Sequence, residues 1–469
     1  MIDRTVENVV VGAGTAGLAA YRALRDAGRE VLLVEAGPFG TTCARVGCMP
    51  SKLLIAAAEA AHGTARWDTF GLRLEGKLTV DGRAVMQRLQ FERDRFVGFV
   101  LDGVAAIPEQ EKLVGHARFV APRVLEVGES TRVHFERVVI ATGSAPAVPE
   151  SLRALGDRVI VNDDVFAWQD LPRSVAVVGP GVIGLELGQA LHRLGVRVHV
   201  LGRGHGIGPL TDPVLKETAA ACFRQEFPLE TDVRQLQAKR LGNGVQLQWE
   251  NAAGHRQQLE VDEVIAATGR VPNVAGLGLD RLGIALQPDG VPVFDPFTLQ
   301  CGQHPVFVAG DVNNDRPLLH EAADEGRIAG ENAAHYPEVR KGVRRAPLAI
   351  VFTEPQIALV GQRWADLDPA QVVVGKVSFE NQGRSRVMLR NQGALHLYAD
   401  REGGTLRGAE LVGPEAEHLA HLLAWALQLD LTVPRMLQLP FYHPVVEEGL
   451  RTALRDAASQ LGRGLQQAA

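Results

Sequence analysis

The chain has 469 residues, 46% of them hydrophobic and 22% charged, with 50 glycines; it is too long for one ordinary core and predicts about three domains of α/β composition. Its formal net charge of −6 is spread without long runs of one sign, which excludes the basic footprint of a nucleic-acid or anionic-membrane binder. The opening "MIDRTVENVVVGAG" carries acidic residues where a signal peptide would be positive, and no run of roughly 18 apolar residues follows, so a cytoplasmic protein with small-molecule and protein partners is expected.

The first predicted elements lie in "VENVVVGAGTAGLAAYRALRDAGREVLLVE", from Val6. A Val-rich strand leads into a G-x-G-x-x-G turn at Gly12, Gly14 and Gly17, then an Ala/Leu helix ended by Gly28 and a second strand ending in Glu35. The first glycine makes the tight turn, the second admits a pyrophosphate and the third lets helix and strand pack closely; Glu35 stands where a carboxylate holds ribose hydroxyls. An ordinary strand-to-helix turn is the plainer alternative for a motif met once.

"GTTCARVGCMPSK" follows, with two of the chain's four cysteines, Cys43 and Cys48. A structural crosslink, a metal site and a working disulfide are the three readings. A close pair in a reducing compartment is more often catalytic or metal-binding than structural, and the isolated Cys222 and Cys301 do not complete the four ligands of a zinc site. "MPSKLLIAAAEAAH" reads as a helix with Pro50 in its first turn, which puts Cys48 at a helix N-terminus with Lys52 one turn on; both features stabilise a thiolate.

Further along, "VVIATGS" with Thr142 and Gly143, and "VIAATGRVPN" with Gly269, each read as a strand followed by Thr-Gly, suited to a chain crossing beside a cofactor or to a plain turn. Between them lies an internal repeat. Adding 167 to Gly12, Gly14, Gly17 and Gly28 gives Gly179, Gly181, Gly184 and Gly195 in "RSVAVVGPGVIGLELGQALHRLGVRVHVLG", a second βαβ unit. The position matching Glu35 is Gly202, followed by Arg203. The missing carboxylate removes a barrier to a 2′-phosphate, and Arg203 is either a partner for it or a solvated loop arginine. Two dinucleotide sites imply a tightly held FAD and an exchanging nicotinamide, NAD with NADP possible. "VFVAGDV" is a buried strand ending in Asp311, placed to meet a sugar-like hydroxyl or to cap a helix.

The chain divides into residues 1–149, 150–272, 273–345 and 346–469, with the proline-marked linker "SAPAVPE" leaving the first part and "RRAPLAI" opening the last. The last part alternates strands such as "GALHLYAD" with helices such as "EAEHLAHLLAWALQL", in which His418 and His421 share one amphipathic helix rather than a metal. The tail "GRGLQQAA" is expected to fray.

Taken together, the first glycine motif with Glu35, "TTCARVGCMPSK", "GPGVIGLE", "ATGRVPN", "VFVAGDV", "LLHEAADEG" and "HPVVEEG" resemble the FAD-dependent pyridine nucleotide–disulfide oxidoreductases over essentially the whole chain, most closely their dihydrolipoamide dehydrogenase branch. The resemblance implies two Rossmann-like domains, for FAD over residues 1–149 and 273–345 and for NAD over 150–272, plus a C-terminal α+β dimerisation domain. It makes Cys43 the interchange thiol and Cys48 the thiol facing the flavin. Lys52, paired with Glu186, would lie near the flavin, and His320 would either lie there too or be a solvated helix residue. Asp311 would bind the ribityl chain, and His443, oriented by Glu448 from the same loop, would be the acid/base for Cys43, a surface or interface histidine being its plainer alternative. The implied activity is oxidation of dihydrolipoamide carried by a lipoyl-bearing protein of a 2-oxoacid dehydrogenase or glycine-cleavage complex, by a homodimer. An NADPH-driven reductase of a soluble disulfide, and a redox sensor or scaffold without turnover, are the alternatives. The chain departs from the family at Ala44 and Arg45 and in "FYHPVVEE"; Arg45 either favours an acidic disulfide or faces solvent.

Overall fold

The computed structural model describes residues 1–462; the tail expected to fray lies, after Gly462, outside the described residues. The described chain forms two compact units, one of Met1–Pro50, Arg88–Ala147 and Gly269–Arg344, the other of Ser51–Gln87, Val148–Thr268 and residues 345–462.

In the first unit the parallel strands Lys112–Val114, Val31–Glu35, Ile2–Val11 and Thr131–Ile140 lie in that order, and Val306–Val308 pairs in parallel with the end of Thr131–Ile140. The start of Thr131–Ile140 continues antiparallel into Val124–Val127 and Ala117–Ala121. The strands read as unbroken apolar runs because both faces are covered. Val10, Val31, Leu33, Val139 and Phe307 enter one core, while Val9, Val11, Leu32, Val34, Val138, Ile140, Val306 and Val308 enter the other. The helices Thr15–Asp26 and Leu319–His335 supply the first of these cores and meet along a seam of small residues. A Cβ on Gly326 would stand 2.1 Å from the Ala16 carbonyl oxygen, and one on Gly330 2.6 Å from that of Ala20.

The second unit holds a parallel sheet in the order Leu229–Glu230, Arg197–Leu201, Ser174–Val178, Glu263–Ala266, Val159–Ile160, and an antiparallel ribbon of Arg234–Leu241, Gly244–Glu250 and Arg256–Val261. Its C-terminal part is an antiparallel sheet in the order Leu348–Val351, Gln356–Gly361, Leu406–Gly413, Ala394–Asp400, Val372–Ser378. The helices Ala416–Gln428 and Glu448–Gln460 share a core with this sheet through residues such as Leu419, Leu423, Leu450 and Leu454. Fully buried Glu410 accepts the backbone N–H groups of Thr211, Asp212 and Trp364 at 2.7, 2.9 and 2.9 Å. This satisfies three donors at once and ties the loop before helix Pro213–Arg224 to the C-terminal sheet. His418 and His421 are exposed on helix Ala416–Gln428, and His421 Nδ1 lies 2.6 Å from the Glu417 carbonyl oxygen. The architecture is α/β, two Rossmann-type parallel sheets with an antiparallel α+β part at the C-terminus. No helix among the described residues is long and apolar enough to cross a membrane.

Candidate functional site

The strand Ile2–Val11 ends where the chain must turn sharply into helix Thr15–Asp26. Gly12 takes φ +103°, and a Cβ there would stand 2.3 Å from the Ala141 carbonyl oxygen; a Cβ on Gly17 would stand 1.8 Å from that of Gly12. Gly14 differs, since nothing lies within 4 Å of where its Cβ would be. The first and third glycines are thus required by packing, and the second leaves space at the helix N-terminus, the end that attracts phosphate. Glu35 closes the turn: its Oε2 accepts the Ala13 N–H at 2.6 Å and its Oε1 the Gly37 N–H at 2.8 Å. Gly12, Gly14, Glu35, Thr142 and Gly143 line one cavity of about 840 Å³. Its size, the open cradle at Gly14 and the carboxylate at its edge fit an adenine dinucleotide.

Asp311 opens a short turn after strand Val306–Val308 and accepts the Ser144 hydroxyl at 2.8 Å. Ser144 lines the cavity and in turn accepts Arg270 Nε at 2.8 Å. Thr142 is fixed by Asn273, whose carbonyl accepts the Thr142 hydroxyl at 2.8 Å and whose side-chain amide donates back at 2.9 Å. Gly269 takes φ +109° just before strand Arg270–Pro272, which pairs with Ser144–Pro146. His320 is exposed at the start of helix Leu319–His335. The sequence reading missed Ser144, Arg270, Asn273 and Glu325. The first three sit in the two quoted Thr-Gly segments, and polar residues just past a buried strand end were the available signal.

Glu325 lies behind the Asp311 turn, fully buried. It accepts the Gly310 N–H at 2.8 Å and Asn313 Nδ2 at 2.7 Å, and its other oxygen lies 2.9 Å from Arg344 Nη2. Burial pushes its pKa up to about 7, the Gly310 hydrogen bond and the Arg344 charge opposing the rise.

The cysteine loop is built from two helices that meet at Gly47. Thr41, at φ 59°, caps the short helix Thr42–Val46 by accepting the Ala44 N–H at 3.3 Å, and Cys48 is the first residue of helix Cys48–Gly63. A Cβ on Gly47 would stand 3.1 Å from the Thr42 oxygen and 3.2 Å from Cys43 Cα, so the chain doubles back tightly between the cysteines. Cys43 is half-buried and Cys48 exposed. Cys43 lines a second cavity of about 420 Å³ walled by Leu18, Met49, Phe96, Phe99 and Leu319, with Arg22 its one charged described lining residue.

The second unit repeats the glycine geometry. A Cβ on Gly179 would stand 2.2 Å from the Ala267 oxygen and one on Gly184 1.8 Å from the Gly179 oxygen, while the space at Gly181 is open. Its turn closes differently: Pro180 and Gly202 stand where Ala13 and Glu35 stand in the first copy, so the N–H and the carboxylate are lost together. Arg203 is exposed. Lys52 Nζ lies 2.8 Å from Glu186 Oε2, beneath which Glu186 also accepts the Phe352 N–H at 3.0 Å. Lys52 is 33% exposed and Glu186 4%. His443 is 80% exposed, with Nδ1 3.0 and 3.1 Å from the two Glu448 oxygens. That contact holds the Glu448 carboxyl below its usual range. Glu448 is supplied by the first residue of helix Glu448–Gln460, a firmer mount than the shared loop expected from sequence.

The family model described as "Pyridine nucleotide-disulphide oxidoreductase" matches residues 6–326, and that family's dimerisation domain matches 348–454. The chain is 32% identical to a dihydrolipoyl dehydrogenase of Thermus scotoductus, covering 96% of this chain and 97% of the relative. It is 31% identical to a mercuric reductase of Shigella flexneri, covering 95% and 79%. In fold it is similar to the flavoprotein disulfide reductase RclA from Escherichia coli, with a TM-score of 0.81 at 22% identity over 96% of this chain and 99% of that one. The chain therefore belongs to the pyridine nucleotide–disulphide oxidoreductases, flavoproteins that bind FAD and a nicotinamide dinucleotide.

Proposed function

We propose that this protein is a cytoplasmic homodimeric dihydrolipoyl dehydrogenase, oxidising dihydrolipoamide on a lipoyl-bearing protein with NAD through Cys43 and Cys48. The observation that carries the reading is the apolar wall around Cys43. A lipoyl arm buries hydrocarbon there, whereas glutathione, with several charges, would lose hydration and meet Arg22 as the one charged partner among the described lining residues. The dihydrolipoyl dehydrogenase relatives also match over nearly their whole length.

In this reading the reacting form of the enzyme has Cys43 and Cys48 joined in a disulfide. A substrate thiolate attacks the Cys43 sulfur, a mixed disulfide forms as the Cys43–Cys48 bond breaks, and Cys48 leaves as a thiolate at its helix N-terminus. The second substrate thiol gives its proton to His443 Nε2 and attacks the substrate sulfur of the mixed disulfide, closing the substrate ring and releasing Cys43 as a thiolate. The substrate loses two electrons and the cysteine pair gains them. Glu448 holds the imidazole with Nε2 toward the proton. Residues Gly12, Gly14, Glu35, Thr142, Gly143 and Asp311 would hold FAD, and Gly179, Gly181, Gly184 and Arg203 the nicotinamide dinucleotide. Bound flavin supplies two-electron transfer between the dithiol pair and a nicotinamide.

A second reading, an NADPH-driven reductase using the same parts in reverse, is favoured by Gly202 and exposed Arg203. The test is a steady-state assay crossing dihydrolipoamide, lipoamide, oxidised glutathione and Hg(II) with NAD(H) and NADP(H). The proposal requires dihydrolipoamide with NAD to be the best pair; a best rate for glutathione or Hg(II) with NADPH rejects it.

A further inference from the structure

We propose that Arg45, which lies between the two cysteines, pairs with the diphosphate of bound FAD. Arg45 lines the cavity formed by Gly12, Gly14 and Glu35, not the apolar cavity at Cys43. Its side chain runs back over the loop through space that Gly40 leaves open: a Cβ on Gly40 would stand 2.9 Å from Arg45 Cδ and 3.2 Å from Cγ. Arg45 as a residue is half-buried; its guanidinium has no carboxylate partner among the described residues, and its exposed hydrogen bond to the Pro38 carbonyl is long, 3.5 Å. Two other charged groups of the cavity wall are held by protein partners. Glu35 is held by the Ala13 and Gly37 N–H groups, and Arg118 faces Glu126 at 3.2 Å.

A planar guanidinium with unfilled donors, in a cavity whose glycine turn leaves room for phosphate, is matched by the two charges of a diphosphate. The pairing has a consequence for the redox loop. Arg45 belongs to the short helix Thr42–Val46 that carries Cys43, so the cofactor's charge holds that helix in place. Arg45 is on this account a cofactor-positioning residue and does not select an acidic disulfide.

The test uses the purified holoprotein and reads FAD release by the rise in flavin fluorescence on dilution, at low and high salt. Arg45→Gln is expected to release FAD about tenfold faster at low salt, as for one lost charge-assisted hydrogen bond. It should also flatten the acceleration that salt produces in the wild type, because one ion pair is missing. Arg45→Lys should fall between, and it carries the comparison if Arg45→Gln purifies without FAD. Release as slow as in the wild type overturns the proposal. So does faster release with an unchanged salt dependence, which marks Arg45 as mere packing for the loop. A selective rise in KM for oxidised glutathione with FAD release unchanged places Arg45 toward substrate and likewise overturns it.

Discussion

Gly202 and Pro180 occupy each other's space: a Cβ on Gly202 would stand 2.5 Å from Pro180 Cγ and 2.6 Å from Cδ. Their counterparts in the first copy, Glu35 and Ala13, are joined by a 2.6 Å hydrogen bond. The second site therefore lacks both the acid that would read a ribose and the N–H that would orient it, and the proline ring blocks a side chain from returning. Gly202→Glu alone is expected to lower kcat/KM for NAD and NADP together. The double change Pro180→Ala with Gly202→Glu is expected to raise the NAD to NADP ratio of kcat/KM by about tenfold or more, the worth of one charged hydrogen bond. A single variant that sharpens NAD preference at undiminished rate contradicts this account.

Lys52 and Glu186 form an ion pair that is open on the lysine side and closed on the glutamate side. Lys52→Ala leaves Glu186 buried with the Phe352 N–H as its remaining protein donor among those described here. Loss of about 3 kcal/mol is expected, the lower end for a broken buried pair, and should appear as a lower Tm. Lys52→Met with Glu186→Leu should recover much of it. Equal Tm for wild type and Lys52→Ala would show that solvent screens the pair completely.

Glu325 makes stability depend on pH in a direction opposite to most carboxylates. Its folded pKa, about 7, exceeds the ordinary 4.5, so the folded state binds its proton more tightly than the unfolded chain. Its contribution is full below about 4.5 and is lost as pH rises through about 7. His62, His192 and His199, pushed down by burial, slope the other way in part of this window, so the comparison is between wild type and Glu325→Gln. The stability advantage of wild type over the variant, followed by Tm from pH 5 to 8, should shrink as pH rises. A constant difference would place the Glu325 pKa near its ordinary value.

We expect His443 to serve Cys43 of the other subunit. The imidazole is exposed and anchored at Nδ1, as suits a base that meets a thiol presented by a second chain. Cys43→Ser and His443→Ala homodimers should each be nearly inactive. A mixed dimer of one variant subunit with the other keeps one site with both thiol and base, and should recover about half the wild-type rate if the sites are independent. An inactive, correctly folded mixed dimer points to catalysis within one subunit.

The sequence by itself determined the two glycine turns, the apolar strands and the cysteine spacing. Each depends on residues a few positions apart: Gly17 is needed because it folds onto Gly12, and Gly47 because it folds onto Thr42 and Cys43. Such requirements are local, and a short window of sequence contains them whole. Tertiary structure alone decided where side chains point and which are buried. Arg45 could not be read from its neighbours as facing the dinucleotide cavity. Glu325 lies in a helix among Asp324, Glu321 and Arg327 and reads as solvated until the helix packs on Ala16 and Ala20. The relay from Asp311 to Ser144 to Arg270 joins positions 167 and 126 residues apart. Partners so distant are chosen by how strands pair and helices close on them, and the free energy of a buried polar group is set by the partners it then finds.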